Sequence, residues 1–128
     1  MDNNDKITEL QNEIKRLSEE QEQSQIDKYN YLIGKCLHRA TTSWEKITAI
    51  HRVDYDEYDG DEITFDCISI YYDERGSEYN CNCGISLDAY GSICAKYFEK
   101  QEITPEKFLS IFEATTNFIR TKINFKTE

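Results

Sequence analysis

The segment from Glu62 to Tyr72 constrains the fold of this chain most, because it has the composition of a buried β-strand. β-Branched and aromatic side chains dominate it, and these residue types favour strands. Its apolar positions change phase midway, and the two sets are Ile63, Phe65 and Cys67, then Ile68, Ile70 and Tyr72. Because side chains alternate between the two faces of a strand, this shift predicts a β-bulge or a strand that is covered on both faces.

Four further segments have the composition of strands, and these are 31–40, 44–53, 79–87 and 92–98. Turn residues separate the last three strands, at 73–77, where Gly76 can supply a positive φ, and at 88–91. Several short strands at this spacing predict a five-stranded antiparallel meander, or a small, partly open barrel.

The first 30 residues have a helical pattern instead. Ile7, Leu10, Ile14 and Leu17 follow one another at steps of three, four and three, which is one stripe of an amphipathic, coiled-coil-like helix. The stripe fades after two heptads, since polar residues occupy the next positions in register. We predict that residues 1–30 are a helical oligomerisation segment; the alternative is a helix folded back on its own domain.

A second helix is predicted after Thr104, which suits the N-cap position, with Pro105 at the first helical position. An apolar stripe follows at helical spacing and predicts that this helix covers one side of the sheet. The expected fold class is α+β. Residues 31–128 are expected to form a small β-domain that ends with this helix.

The net charge of −10 is unevenly distributed along the chain. Residues 54–90 contain eleven acids and one base, Arg75, so this segment alone has a charge of −10. Simple repulsion disfavours direct binding of nucleic-acid phosphates there. A basic partner is favoured.

The most acidic part of this segment combines carboxylates with tyrosines, which supply contact area in protein interfaces. The predicted partner-binding residues are Asp54, Tyr55, Asp56, Glu57, Tyr58, Asp59, Asp61, Glu62, Asp73 and Glu74. Alternate carboxylates on a strand lie about 6.6 Å apart and could imitate phosphates. The alternative is a solvated hairpin turn. A calcium loop is not expected, because Gly60 at the sixth position of an EF-hand would place Tyr55 at the first.

Five cysteines and two histidines are the other candidates for chemistry. Cys81 and Cys83 are one residue apart on a predicted strand, which is not the knuckle spacing of a zinc site. Cys36 and His38 share one face of a strand, but no orienting carboxylate or oxyanion site can be identified beside them. We therefore predict no metal site, no cofactor and no catalytic residues.

The compartment is predicted from the cysteines and from the start of the chain. An odd number of cysteines favours reduced thiols, and the acidic start Met1–Asp5 is unlike a secretory signal. No stretch approaches the ~20 apolar residues that span a bilayer. We expect a cytoplasmic protein that does not enter a membrane.

The layout resembles small acidic accessory proteins of bacteriophages and other mobile elements. The resemblance rests on the helix with Leu10 and Leu17, the segment Tyr31–Cys36, the meander, the closing helix from Ile103 to Phe108, and a composition rich in Asn, Lys, Ile, Glu and Tyr. Such families include inhibitors of host defence, anti-CRISPR proteins among them. The resemblance implies a place in the host cytoplasm, but it assigns no functional residue.

These observations favour a non-enzymatic inhibitor or adaptor that binds a basic host protein, such as a CRISPR effector or another nucleic-acid-handling protein. The alternative is a structural or assembly module that oligomerises through its first helix, most simply as a homodimer. A third hypothesis is a small barrel that binds single-stranded nucleic acid through the mildly basic segment 31–53. The alternative for this segment is that its bases, which are His38, Arg39, Lys46 and Arg52, pair with the acidic segment inside the fold or across an oligomer.

Overall fold

The α+β class is confirmed by the computed structural model, which describes residues 3–73 and 82–125. Its elements in chain order are α1 (Asn3–Lys28), β1 (Cys36–Ala40), β2 (Ser43–Asp56), β3 (Gly60–Asp73), β4 (Asn82–Cys94), α2 (Phe98–Gln101), β5 (Glu102–Ile103) and α3 (Pro105–Phe125). Two 3-10 turns, Asn30–Leu32 and Ala95–Tyr97, precede β1 and α2.

The five strands form one open antiparallel sheet in the order β4-β3-β2-β1-β5, and it is not closed into a barrel. The first four strands are a meander. The short β5 pairs with the far side of β1, where Ile103 lies opposite Cys36. The predicted cap of the last helix is also confirmed, because the Thr104 hydroxyl accepts a hydrogen bond from the Lys107 amide at 3.1 Å.

The strand boundaries differ from the predicted ones at both ends of the meander. The first strand begins at Cys36, after the 3-10 turn and Gly34, whose φ of +91° suits glycine. The predicted strand 92–98 is wrong, because β4 ends at Cys94 and the fifth strand is Glu102–Ile103. The predicted hairpin turn at 73–77 lies largely outside the described residues.

The predicted turn at 88–91 is also wrong, because β4 continues through it. Tyr90 pairs with Asp66 and Gly91 pairs with Phe65. A Cβ on Gly91 would lie 2.5 Å from the Phe65 ring and from a Glu45 carboxylate oxygen. This glycine therefore permits a close approach inside the strand, which is a second common role of glycine in sheets.

The two faces of the sheet carry separate apolar cores. The inner core comprises Tyr29, Leu32, Leu37, Ile47, Ile50, Ile63, Phe65, Cys67, Ile93 and Phe98. The outer core lies under α3 and comprises Cys36, Ile70 and Phe108, with Trp44, Ile68, Ile85, Ile103, Ile111 and Phe112 partly buried around them. The two apolar sets in β3 thus face two different cores. The strand is covered on both faces, which is one of the two alternatives predicted from its change of phase.

β3 itself has no bulge opposite β4, because the extra residue beside its change of phase lies in β4. The register between β3 and β4 shifts between Cys67 and Ser69, because Cys67 lies opposite Ala89 and Ser69 lies opposite Ser86. Leu87 falls in this shift and is 68% exposed.

Candidate partner-binding surface

The β2–β3 hairpin extends beyond the strands on either side of it. β1 pairs with β2 only as far as Lys46, and the pairing of β4 with β3 ends at Glu62. From Tyr55 and Asp61 up to the turn, β2 and β3 pair only with each other, and Asp56 lies opposite Gly60. We call residues 54–62 the hairpin tip.

The turn at the hairpin tip is built by an aspartate and a glycine. The Asp56 carboxylate accepts hydrogen bonds from the amides of Tyr58, at 2.7 Å, and Asp59, at 3.2 Å. Gly60 has a φ of +79°, which is strained for other residues. Short polar side chains and glycine give a tight turn of this kind, and the turn holds Tyr58 outward.

Two carboxylates connect the hairpin tip to the rest of the molecule. Asp59 pairs with Lys96 at 3.1 Å. Asp61 accepts a hydrogen bond from the Tyr29 hydroxyl at 2.5 Å and lies 3.6 Å from the Lys28 ammonium. Burial, and next the bond to Asp61, raise the pKa of Tyr29 to about 12. The contacts of Asp61 fasten the hairpin tip to the end of α1, and the contact of Asp59 fastens it to the 3-10 turn Ala95–Tyr97.

Two further acids of the hairpin tip also have partners within the chain. Arg52 donates to Asp54 at 2.7 Å, and the Ser92 hydroxyl donates to Glu62 at 2.5 Å. Four of the six predicted partner-binding carboxylates of the tip therefore bind side chains elsewhere in this molecule. The sequence indicated that Arg52 could pair with the acidic segment, but it did not indicate Lys96, which lies 37 residues from Asp59.

The tyrosines of the hairpin tip are highly exposed. Tyr58 is 90% exposed and Tyr55 is 76% exposed, and Glu57 between them is also exposed. Large aromatic side chains are more often held partly buried, so two such side chains on one braced turn form a candidate contact site.

Of the remaining predicted partner-binding residues, Asp73 does not join the hairpin tip. Asp73 lies at the other end of β3, opposite Asn82, roughly 40 Å along the strand from Asp61. It is half-buried there. Glu74 lies outside the described residues. The candidate surface is therefore confined to residues 54–62.

The stripe on α1 is a second uncovered surface. No residue of this 26-residue helix is buried, and Ile7, Leu10, Ile14 and Leu17 are 50–66% exposed. Only the end of the helix meets the β-domain, where Ile26 packs against the inner core. The helix is therefore not folded back over its own domain.

Cys36 and His38, which were considered for catalysis, are engaged in packing, and Cys81 lies outside the described residues. Cys36 is buried in the outer core, and burial raises the pKa of its thiol, which disfavours a thiolate nucleophile. The His38 ring stacks on Trp44 at 4.8 Å. Within residues 3–73 and 82–125, no three His, Cys, Asp or Glu side chains are grouped to hold a metal ion.

In the described part of the chain, neither long helix is apolar enough to cross a membrane. The chain matches no family model, no curated protein and no solved structure.

Replacing Tyr29 with phenylalanine is expected to weaken the dependence of stability on alkaline pH. The pKa of Tyr29 is higher in the folded state than its usual value near ~10, so folding favours the neutral phenol. The contribution of the Tyr29 phenol to the free energy of unfolding is complete below about pH 10 and is lost as the pH rises through about 12. We expect the wild type to lose more free energy of unfolding than Tyr29→Phe between about pH 8 and about pH 11, measured by urea unfolding.

The exposed Tyr58 provides the control for this measurement, because Tyr58→Phe should behave as the wild type does. Cys67 titrates in the same range, since burial raises its pKa to about 12, but it is present in all three proteins. Equal losses in the wild type and in Tyr29→Phe would contradict the role of the Tyr29–Asp61 bond.

Proposed function

We propose that the protein is a non-enzymatic inhibitor or adaptor that binds a basic partner protein through its hairpin tip. The observation that supports this most directly is the exposure of Tyr58 and Tyr55 on a turn that Lys96, Lys28 and Tyr29 hold in place. A braced turn loses little conformational freedom on binding, so exposed aromatic side chains on it are efficient contacts.

The charge of the hairpin tip selects the class of partner. Six carboxylates lie in residues 54–62, and Lys28, Arg52 and Lys96 neutralise only part of their charge. The surface therefore attracts lysine and arginine side chains and repels phosphates. Together with the resemblance to phage accessory proteins, this favours a nucleic-acid-handling defence protein of a bacterial host, such as a CRISPR effector, as the partner.

The proposed place of action is the host cytoplasm. Cys36, Cys67, Cys83 and Cys94 are all free thiols, and a reducing compartment keeps such thiols free.

Removing both tyrosines of the hairpin tip is expected to abolish binding of this partner. The wild type and the Tyr55→Ala/Tyr58→Ala variant are immobilised, exposed to a bacterial lysate, and compared by mass spectrometry. We expect a basic protein to be retained by the wild type only. With this protein purified, the double variant should raise the Kd by tenfold or more, about the effect of losing a tyrosine hot spot.

Tyr71→Ala provides the control for this experiment. Tyr71 is also exposed, but it lies at the opposite end of β3, so its loss should leave retention unchanged. Binding should also weaken as salt concentration rises, because opposite charges contribute to it. If every retained protein bound the double variant as well as the wild type, the proposed contact site would be wrong.

A second function, assembly through α1, is favoured by a different observation. The apolar stripe has heptad spacing, is at least half exposed at each of its four positions, and is not covered by the β-domain. Removing such a stripe from water drives helix association. We propose that the chain self-associates through this stripe, most simply as a dimer.

A further inference from the structure

The charges of α1 differ between its two halves. Residues 3–16 contain three acids and three bases, whereas residues 17–28 contain four acids and only Lys28. A parallel pair of helices would place the two acidic halves side by side. An antiparallel pair centred on Asn12 places residues 17–21 of each copy beside residues 3–7 of the other, which contain Lys6, and leaves Glu22 and Asp27 beyond the end of the other helix.

The apolar stripe fits an antiparallel pair without a gap. With Ile7 and Ile14 at heptad position a and Leu10 and Leu17 at position d, antiparallel helices bring a residues against d residues. Ile7 then packs on Leu17 of the second copy, and Leu10 packs on Ile14 of the second copy. The centre lies at Asn12, and residues 3–21 overlap over roughly 28 Å of helix, at ~1.5 Å per residue.

The residues beside the stripe distinguish the two directions. Position g is occupied by Lys6, Glu13 and Glu20, and position e by Gln11, Ser18 and Gln25. In a parallel pair, each g residue faces an e residue, so every charge faces a neutral side chain. In an antiparallel pair, g residues face each other, so Lys6 meets Glu20 of the second copy at two symmetric places. Glu13 faces Glu13 of the second copy once, at the centre of the pair.

These side chains are accessible for such pairing. Every residue described in the overlap is exposed. Within one helix, Arg16 lies 3.7 Å from both Glu13 and Glu20, and each of these carboxylate side chains is more than half exposed. The Arg16 charge beside Glu13 reduces the repulsion between the two Glu13 side chains at the centre of the antiparallel pair.

The position of the β-domain also favours the antiparallel direction. Tyr29 and Lys28 fasten the acidic hairpin tip to the end of α1 through Asp61. A parallel pair would hold two hairpin tips of like charge beside each other. In an antiparallel pair, the ends of the two helices at residue 28 lie about 48 Å apart, from ~1.5 Å per residue.

We propose that two copies of this chain associate through an antiparallel pair of α1 helices, with the stripe at the interface and Lys6 paired to Glu20 of the second copy. The proposal rests on the proposed self-association and adds its direction. It makes the dimer bivalent, with one hairpin tip at each end, so that a partner with two copies of its site is bound more tightly than one with a single site.

Exchanging the two paired charges tests this direction in the full chain. Dimer Kd values are measured by sedimentation for the wild type, Lys6→Glu, Glu20→Lys and the double variant Lys6→Glu/Glu20→Lys. Each single variant replaces two attractive pairs with two repulsive ones and is expected to raise the Kd about tenfold or more. The double variant restores both pairs and is expected to return the Kd to within about threefold of the wild type.

Two control variants carry the same charge changes away from the interface. Lys15→Glu and Glu19→Lys lie at heptad positions b and f, and each should change the Kd by less than about threefold. Circular dichroism of each protein checks that helix content is unchanged, since Glu20→Lys also removes a contact with Arg16. Small-angle scattering of the wild type should show two domains separated by about 50 Å.

The outcomes separate the two proposals. A dimer in which the double variant is no tighter than the single variants, or in which the β-domains lie side by side, would overturn the antiparallel direction alone. A wild type that stays monomeric at about millimolar concentration would overturn self-association together with its direction. Neither outcome alters the proposed contact at the hairpin tip, which the tyrosine variants test separately.

Discussion

Replacing Arg39 with methionine is expected to destabilise the fold by about 3 kcal/mol, the lower part of the range for breaking a buried ion pair. Arg39 on β1 donates two hydrogen bonds to Glu45 on β2, at 2.6 and 2.8 Å. Glu45 is only 3% exposed. Without Arg39, this carboxylate stays buried, and among the described residues its remaining side-chain donor is the Cys67 thiol at 3.5 Å.

The arginine also bridges strands that are far apart in the sheet. Its guanidinium donates to the backbone carbonyl of Ser92 on β4 and lies 5.4 Å from the centre of the Phe65 ring. β1 and β4 are separated by two strands, or about 14 Å in a flat sheet. The sheet must therefore curve around this side chain, and Arg39→Met removes a contact that holds the curvature.

Urea unfolding, followed through the fluorescence of Trp44, measures this effect. Arg52→Met is the control, because it breaks an ion pair with Asp54 that is more than half exposed and should cost less than about 1 kcal/mol. Arg39→Met/Glu45→Leu removes both buried charges and should recover most of the lost stability. A cost for Arg39→Met no larger than that for Arg52→Met would contradict the role of the buried pair.

The parts of the fold that depend on local patterns could be predicted from the sequence. The phase shift in β3 indicated coverage of both faces, and Thr104 and Pro105 indicated where α3 begins. The end of β4 could not be predicted, because Gly91 in sequence has the composition of a turn. Its true role depends on Phe65 and Glu45, which approach it from two other strands.

In the candidate site too, local features could be predicted from the sequence, and contacts with distant residues could not. Local composition located the hairpin tip and its two tyrosines. It could not show that Asp59 and Asp61 bind Lys96 and Lys28, because these partners lie 37 and 33 residues away along the chain. In the folded structure, the carboxylates therefore brace the turn, and the tyrosines remain exposed and available for contact with a partner.

Replacing Gly91 with alanine is expected to destabilise the fold by about 3 kcal/mol, the upper part of the usual range for overpacking. The new Cβ would lie 2.5 Å from the Phe65 ring and from Glu45 Oε2. Neither group can move freely, because Phe65 is fully buried and Arg39 holds Glu45 at 2.6 Å. The clash therefore falls on the centre of the inner core.

Gly84→Ala is the control for this prediction, because Gly84 lies in the same strand and an added Cβ there has no atom within 4 Å. Alanine is better than glycine in the interior of a strand, so this variant should be neutral or more stable by up to about 1 kcal/mol. Thermal unfolding of both variants measures the difference. Phe65→Leu removes the ring atoms that face Gly91, so Gly91→Ala should cost less in that background than in the wild type. Equal stabilities of Gly91→Ala and Gly84→Ala would contradict this close approach of β4 to Phe65.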